Sequence, residues 1–292
     1  MKLPHIGTRA AGLSLLCILL AVLIFVWIQV LAATPRGVLR VAFLDVGQGD
    51  AIYIESPTGR QLIIDGGPDD SLLPALPKVM PPFDRSIDAL LETHPDSDHI
   101  TGFVDLLKRY TVTDFIEPGI PKDTETATTL EKEITDNHVA RYIARRGMAI
   151  DLGGGALLQI LYPDHDVSTL NQNIANNGAI VARLSYGSTS VLFTSDLPKE
   201  MMDTLASQAD GELKSDILKV GHHGSKTASD ATIINAVHPT DAVIEVAAKN
   251  MYHLPNQEPL DELAAVGASV FRTDRDGTVL FESDGTHFWR VQ

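Results

Sequence analysis

The chain has 292 residues, 44% of them apolar, which is enough for one large domain or two small ones. Its formal charge of −15 at neutral pH argues against an open basic groove that binds nucleic acid non-specifically. A nuclease is not excluded, because divalent ions bound in one pocket would make that pocket locally positive. Cys17 is the only cysteine and lies in an apolar run, so the remainder has no disulfide and no thiolate ligand. Any metal must be held by imidazole and carboxylate groups.

The first segment is an uncharged apolar run from Ala10 to Ala33. As a helix it is long enough to cross a hydrocarbon core of roughly 30 Å, and the basic residues Lys2 and Arg9 before it favour a cytoplasmic N-terminus. We therefore expect residues 1–37 to form a single-pass membrane anchor with a short linker, and residues 38–292 to form one extracytoplasmic domain. The alternative is a secreted protein whose signal peptide is cleaved after Val30-Leu31-Ala32, although the run exceeds the usual apolar core of about 7–15 residues.

Strand patterns dominate the start of the domain. Apolar or alternating runs separated by turn residues predict four strands, at Val38–Val46, Ala51–Glu55, Gln61–Ile64 and Ile87–Glu92. The segment Ile100–Tyr110 has helical spacing. A longer helix is predicted from about Thr124 to Arg146.

The second half repeats this alternation of strands and helices. Strands are predicted at Ala156–Leu161, Ile180–Ser185, Ser190–Thr194, Asp216–Val220 and Ala242–Val246. Helices are predicted near Lys199–Ala209, Ala231–Val237 and Leu260–Val266, with a hairpin turning at Asp276-Gly277. Two β-rich halves with interspersed helices predict an α/β or α+β fold in which two sheets pack face to face with helices outside.

The stretch His94-x-Asp96-x-Asp98-His99 concentrates four potential metal ligands where a predicted strand ends and a helix begins. His94 and Asp96 are two apart, so in an extended segment they point the same way and can share an ion. Asp98 and His99, at the turn into the helix, can face a second ion. The alternative is a solvated acidic turn with Asp98 as the helix N-cap.

At these residues the chain resembles the metallo-β-lactamase superfamily, in particular the exported hydrolase domain of ComEC-type DNA-uptake proteins. The superfamily's usual pattern is H-x-H-x-D-H, and the ComEC-like branch has Asp at the second His, as here. Four further motifs agree in order: Leu44–Ala51, Leu62–Gly67, Phe193–Asp196 and Leu218–Ser225. The resemblance implies a four-layer αββα sandwich with two metal ions at one edge, between its halves.

The resemblance also implies a ligand set. His94 and Asp96 would bind the first ion, and Asp98, His99 and His222 the second, with Asp196 bridging them. Such a carboxylate can span ions about 3.5–4 Å apart, and a water between the ions would lose its proton near neutral pH and become the nucleophile. Zn(II) and Mn(II) both suit three carboxylates and three imidazoles, and the carboxylate share favours Mn(II). Asp98, His223 and His253 are the candidate catalytic residues.

Three positions depart from the family pattern or leave it open. Ser195 stands where members generally carry Gly. Asn250-Met251-Tyr252-His253-Leu254-Pro255 places its His one position earlier than the family's N-x-Y-G-H-P. Asn176-Asn177 matches an Asn-rich loop of the branch, and a plain turn explains it equally well. Either His222 or His223 can be the ligand on sequence grounds, and the resemblance favours His222.

The resemblance implies a metal-dependent phosphodiesterase or nuclease acting on single-stranded DNA or another phosphodiester. Two alternatives stay open: a hydrolase of another exported ester, such as a phosphocholine ester or a lactone, and a catalytically silent envelope-binding domain. The superfamily's breadth makes substrate inference from the fold weak. The sequence names no protein partner.

Overall fold

A computed structural model of the chain describes residues 8–208 and 211–291. Lys2 of the predicted basic N-terminus and Ala209 at the end of a predicted helix lie outside the described residues. Within them, fifteen strands form two mixed sheets, and helices cover the outer face of each sheet.

The first sheet has eight strands in the order β15-β14-β1-β2-β3-β4-β5-β6. Its strands are β1 (Leu39–Phe43), β2 (Ile52–Glu55), β3 (Gln61–Ile64), β4 (Ser86–Leu91), β5 (Thr111–Glu117), β6 (Ala140–Ile143), β14 (Val279–Ser283) and β15 (Phe288–Val291). The strands β3, β4, β5 and β6 run parallel, and the other neighbouring pairs are antiparallel.

The second sheet has seven strands in the order β13-β12-β11-β10-β9-β8-β7. Its strands are β7 (Ala149–Gly153), β8 (Ala156–Tyr162), β9 (Val181–Tyr186), β10 (Thr189–Phe193), β11 (Ile217–Lys219), β12 (Asp241–Ile244) and β13 (Ser269–Arg272). The strands β10, β11, β12 and β13 are parallel. Each sheet therefore has a parallel half whose strand ends face one edge.

Alternation of side chains along the strands creates the layers. In β1, Val41 and Phe43 belong to the apolar core between the sheets, whereas Ala42 points to the opposite core. That opposite core lies under α2 (Leu72–Ala75), α3 (Ser97–Leu107) and α4 (Glu125–Asp136). A third core packs α5 (Lys199–Gln208), α6 (Ala231–Val237) and α7 (Gln257–Ala265) on the second sheet. The predicted αββα order is confirmed.

The predicted helix from Thr124 to Arg146 is wrong in its second half. Helix α4 begins after Thr124, whose side chain accepts a hydrogen bond from the Ala127 amide, and ends at Asp136. His138 then has a positive φ of 55°, which turns the chain so that β6 can pair with β5. The strands β5 and β6 are parallel neighbours although the whole of α4 separates them in the chain. Local periodicity does not reveal such a long-range contact.

The predicted hairpin at Asp276-Gly277 is also wrong. The short helix α8 (Thr273–Asp276) occupies this position, and it connects β13 of the second sheet to β14 of the first. The hairpin lies later, between β14 and β15, where Gly285 has a φ of 88°. A turn dipeptide indicates a change of direction but not which sheet the next strand joins.

The apolar N-terminal run is helical as α1 (Thr8–Ala33). Among the residues that the structure describes, however, no helix combines the length and apolarity needed to cross a membrane. The predicted transmembrane anchor is therefore not supported.

Candidate metal centre

The candidate site lies where strands of both sheets end. His94 follows β4, Asp196 follows β10, and the adjacent pair His222 and His223 follows β11. Asp98 and His99 are in the first turn of α3. Carboxyl ends of parallel strands share one edge, which is the usual place for a ligand in α/β folds. Residues more than a hundred positions apart therefore meet at this edge.

Three overlapping groups of side chains have ligand atoms within 4.8 Å of one another. The first is His94, His99 and Asp196, and the second is Asp98, His99 and His223. The third joins His99 to two carboxylates for which the sequence predicted no role, Asp50 and Asp65. His99 belongs to all three groups and is fully buried.

Five buried atoms of these groups have no hydrogen-bond partner among the described residues: Nε2 of His94, His99 and His223, and Oδ1 of Asp50 and Asp196. An unpaired polar atom in the interior costs about 1–3 kcal/mol. Cations bound between such atoms would offset this cost. The donor set of imidazole nitrogen and carboxylate oxygen suits Zn(II) or Mn(II), so the residues fit a metal centre.

Hydrogen bonds on the other side of the rings point these nitrogens inward. His99 Nδ1 lies 2.8 Å from Asp65 Oδ2, to which it donates, and His94 Nδ1 lies 3.1 Å from Thr93 Oγ1. His223 Nδ1 donates to the backbone carbonyl of Glu245 at 2.9 Å. Such partners fix the ring orientation of metal-binding histidines.

Asp196 occupies the centre of the group. Its Oδ2 lies 3.5 Å from Nε2 of both His99 and His222, and 4.0 Å from Nε2 of His223. Its side chain is 3% exposed. This position is the one that the predicted bridging role requires.

The structure brings both adjacent histidines to the centre, but in different environments. His223 is buried, with Nε2 3.4 Å from Asp98 Oδ2, whereas 37% of the His222 side chain is exposed. The resemblance favoured His222 as the ligand, and that assignment stays a prediction. His223 is the better oriented of the two, because its Nδ1 is bonded from behind.

Asp96 and Asp98 lie at the open side, with side chains 31% and 38% exposed. Asp96 Oδ2 is 3.7 Å from His94 Nε2, and its Oδ1 accepts from Lys122 Nζ at 2.7 Å. Asp96, not Asp98, is the residue before α3, and its side chain makes no capping hydrogen bond. The alternative of Asp98 as an N-cap is therefore wrong.

Three predicted site residues are outside the groups of described residues: Asp96, His222 and His253. Asp96 and His222 still contact members of these groups, whereas no such contact is seen for His253. Its side chain is exposed, on a loop where φ is 56°. Asn176, from the Asn-rich loop, lines a cleft together with His222. A catalytic role for His253 stays a prediction.

Neighbouring charges shift the pKa values of Asp196, His99 and His223 at the centre. Burial raises the pKa of Asp196, but the neighbouring His99 and His223 imidazoles outweigh it and hold that pKa well below its usual range. Burial lowers the pKa of His223, yet Asp50 and Asp196 raise it to about 10. The pKa of His99 is likewise raised well above its usual value by Asp196 and Asp65 against the effect of burial. Without metal, protons on these rings balance the carboxylates.

The backbone at the centre is strained. Asp65, Ser195, His222 and His223 all have positive φ, between 47° and 57°, which costs about 1–3 kcal/mol for each non-glycine residue. The φ of 47° at Ser195 explains why glycine suits this position in the family. In this chain the Ser195 hydroxyl donates to Thr93 Oγ1 at 2.7 Å, a contact between the two halves that glycine cannot make.

Sequence reasoning missed the supporting residues Asp50, Asp65, Lys219 and Glu245. Asp50 forms a buried ion pair with Lys219, and Asp65 accepts from Thr93 Oγ1 at 2.7 Å as well as from His99. Asp50 and Asp65 lay inside the motifs Leu44–Ala51 and Leu62–Gly67. Asp65 directly follows an apolar strand, where an unpartnered carboxylate is costly to bury, and this signal could have identified it.

Comparison with known proteins identifies the family. The family model of the metallo-beta-lactamase superfamily matches residues 44–244. This chain belongs to that superfamily. Its members are generally metal-dependent hydrolases, and their fold typically binds two metal ions, so the predicted fold and enzyme class are confirmed at this level.

The curated relatives are competence proteins, which confirms the resemblance to the ComEC type. The chain is 32% identical over 263 residues to ComE operon protein 3 of Bacillus subtilis, covering 83% of this chain and 33% of that protein. It is 29% identical over 254 residues to competence protein ComA of Neisseria gonorrhoeae, covering 85% of this chain and 33% of that protein. The chain thus spans about a third of the length of these relatives.

A solved structure shows the same fold. The metallo-beta-lactamase fold protein YhfI from Bacillus subtilis superposes with a TM-score of 0.53 at 14% identity, covering 86% of this chain and 99% of that one. At this identity the likeness concerns the fold alone.

Proposed function

We propose that this chain is a phosphodiesterase that cleaves DNA strands with two divalent metal ions, Mn(II) or Zn(II). The observation that carries the proposal is that unpartnered buried ligand atoms of His94, His99, His223 and Asp196 lie in two overlapping groups of potential metal ligands. Two bound ions supply Lewis acidity and make a nucleophile from water near neutral pH. The carboxylate share of the site favours Mn(II).

The residues of this chain hold and orient the reacting groups. Asp65 and the Glu245 carbonyl fix the rings of His99 and His223, so their Nε2 atoms need no reorganisation to bind. Asp196 lies between the two sets of ligands. Asp96, Asp98 and His222 border the open side, where a substrate enters.

The surroundings of the centre carry charges of both signs. Lys122 is paired with Asp96, and a cleft of about 540 Å³ beside His222 is lined by Lys199 and Lys226 together with Glu200 and Glu258. In a chain of net charge −15, attraction for a phosphodiester strand would therefore come mainly from the bound metal ions. The similarity to competence protein ComA of Neisseria gonorrhoeae agrees with DNA as the substrate. The extracytoplasmic location stays a prediction.

The deciding experiment is a substrate panel with the purified chain. After chelation and addition of Mn(II) or Zn(II), hydrolysis of single-stranded DNA, bis(p-nitrophenyl) phosphate, a phosphocholine ester and a lactone is measured. We expect metal-dependent cleavage of the two phosphodiesters. Hydrolysis of the phosphocholine ester or the lactone alone would favour the second enzyme hypothesis, and a protein without bound metal would favour the silent domain.

The matched variants are Asp196→Asn and Asp70→Asn. The first removes a charged ligand from the centre of the site, so we expect at least about a 100-fold loss of phosphodiesterase activity. Asp70 is exposed and outside the ligand groups, so its variant should keep the parental rate. Equal activity of Asp196→Asn and the parent would contradict the mechanism.

A further inference from the structure

A second cavity lies directly beside the metal centre. It has a volume of about 360 Å³, and its lining includes Pro95 and Lys122. Lys122 Nζ is 2.7 Å from Asp96 Oδ1, so one side chain contacts both the cavity and a predicted metal ligand. The volume is within the range of about 300–1,000 Å³ that is typical of small-molecule sites.

Two glutamates that line this cavity lie at the carboxyl ends of neighbouring parallel strands. Glu117 is the last residue of β5, and Glu92 follows β4, with its amide bonded to the Ile116 carbonyl. Glu117 has a cationic partner, because Arg141 Nε donates to its Oε1 at 3.0 Å. The Arg141 guanidinium also holds Glu131.

Glu92 has no such partner. It is 5% exposed, and its carboxyl group makes no hydrogen bond or ion pair with any other described residue. A buried polar group without a partner costs free energy that a bound ligand recovers. Glu92 lines the cavity, and a carboxyl group has an accepting oxygen in either protonation state, so a ligand that offers a hydrogen-bond donor satisfies it.

The remaining walls indicate the ligand's shape. Ile100, Ile120 and Leu130 present aliphatic surface, which suits a flat apolar ring. Arg141 in the same lining opposes a metal cation, which in addition needs several oxygen ligands. A planar heterocycle with an amino group satisfies both the apolar walls and the Glu92 carboxyl group.

We propose that this cavity, the Glu92 pocket, binds a nucleobase of the substrate next to the scissile phosphate, with Glu92 accepting from the exocyclic amino group. The inference rests on the proposed function, because it assumes that the substrate is a nucleic acid strand. It adds base selectivity to that function: bases with an amino group are preferred.

The test compares dAMP with 2′-deoxynebularine 5′-monophosphate, whose purine carries hydrogen in place of the amino group at C6 and is otherwise identical. Isothermal titration calorimetry with the full chain in Mn(II) buffer measures both dissociation constants. We expect dAMP to bind about tenfold more tightly, the effect of one good hydrogen bond. Phosphate and sugar contribute equally to both ligands.

Three variants test whether Glu92 and its pocket cause the nucleotide preference. Glu92→Met has similar length and no acceptor, and it removes an unpartnered buried group, so it should fold and bind the two nucleotides equally. Ala127→Leu narrows the pocket and should weaken the binding of dAMP about tenfold. Glu125→Gln, an exposed position on the same helix, should keep the parental preference.

The outcomes separate the two proposals. Equal binding of dAMP and the deoxynebularine nucleotide by the parent overturns the base pocket, while hydrolysis of bis(p-nitrophenyl) phosphate in the same sample leaves the proposed function standing. A dAMP preference that is lost in Glu92→Met supports the pocket even if no phosphodiester is cleaved, in which case only the proposed function fails. A lower Mn(II) stoichiometry in Glu92→Met would overturn the pocket as a base site.

Discussion

At the level of single residues, the three buried histidines of the metal centre, His94, His99 and His223, share one arrangement. Each has its Nδ1 bonded to an outer partner, and each leaves Nε2 unpartnered and directed at Asp196 or its neighbours. The outer partners thus decide which nitrogen is available to a metal. Asp65 is the strongest of them, because it also accepts from the Thr93 amide and hydroxyl.

Replacing Asp65 therefore tests the orientation of His99. In Asp65→Asn the ring loses its charged acceptor, and we expect metal affinity to fall about 10–100-fold. Competition with a fluorescent chelator measures this change, with Asp70→Asn as the control. Unchanged affinity would show that His99 does not depend on Asp65.

The pKa values of His99 and His223 predict that metal binding depends on pH. Both pKa values are raised, that of His223 to about 10, so at neutral pH both rings are in the imidazolium form. Each ring must lose one proton before its free nitrogen can bind a metal. Affinity should rise about tenfold per pH unit for each proton released, between pH 6.5 and 9. Titrations in buffers of different ionisation enthalpy count these protons, and an affinity independent of pH would refute the prediction.

In the metal-free protein, the same raised pKa makes the free energy of unfolding fall as pH rises, whereas metal affinity increases with pH. A folded-state pKa above the usual 6.5 stabilises the protein below pH 6.5, and this contribution is lost as pH rises through about 10. The chelated protein should therefore become easier to unfold across that window, apart from contributions of other groups.

At the level of elements, the position of α3 controls the site. The helix delivers Asp98 and His99, and its Gly102 packs against the turn after β3: a Cβ at Gly102 would lie 1.9 Å from the Gly66 carbonyl oxygen. The Gly66 amide in turn donates to the His99 carbonyl at 2.5 Å. This close approach holds His99 next to Asp65.

Gly102→Ala tests this packing. Helix propensity alone would stabilise the variant by about 1 kcal/mol, whereas the clash with rigid backbone should destabilise it by about 2 kcal/mol or more and weaken metal binding. Urea unfolding and chelator competition measure the two effects. Asp105→Ala, on the same helix and away from this contact, should change stability by no more than about 0.5 kcal/mol. A more stable Gly102→Ala variant would contradict the packing argument.

At the level of the whole molecule, the site joins the two sheets. His94, Asp98 and His99 come from the first half, and Asp196 and His223 from the second. Direct contacts between the halves near the site include the Ser195–Thr93 hydrogen bond and the buried Lys219–Asp50 ion pair. Metal ions held by ligands from both halves therefore stabilise the sandwich as a unit.

Thermal unfolding should show this coupling. An ion at 100 times its dissociation constant adds about 2.7 kcal/mol, which corresponds to a rise in Tm of about 5–10 °C for a domain of this size. We expect EDTA to reverse the rise and Asp196→Asn to abolish most of it, as followed by circular dichroism. An equal rise in Asp196→Asn would place the ions elsewhere.

The sequence alone predicted the layered fold, most strands and the local ligand group from His94 to His99, because side-chain periodicity and short motifs depend on near neighbours. The order of motifs, through the resemblance, added Asp196 and the histidine pair.

The tertiary structure alone decided that α4 ends at Asp136, that β13 and β14 belong to different sheets, and that Asp50 and Asp65 support the centre. It also decided that Glu92 faces a cavity without a partner. These features depend on pairs such as His99 with Asp65 and Ser195 with Thr93, which lie 34 and 102 positions apart. Only the folded chain brings such pairs within hydrogen-bonding distance.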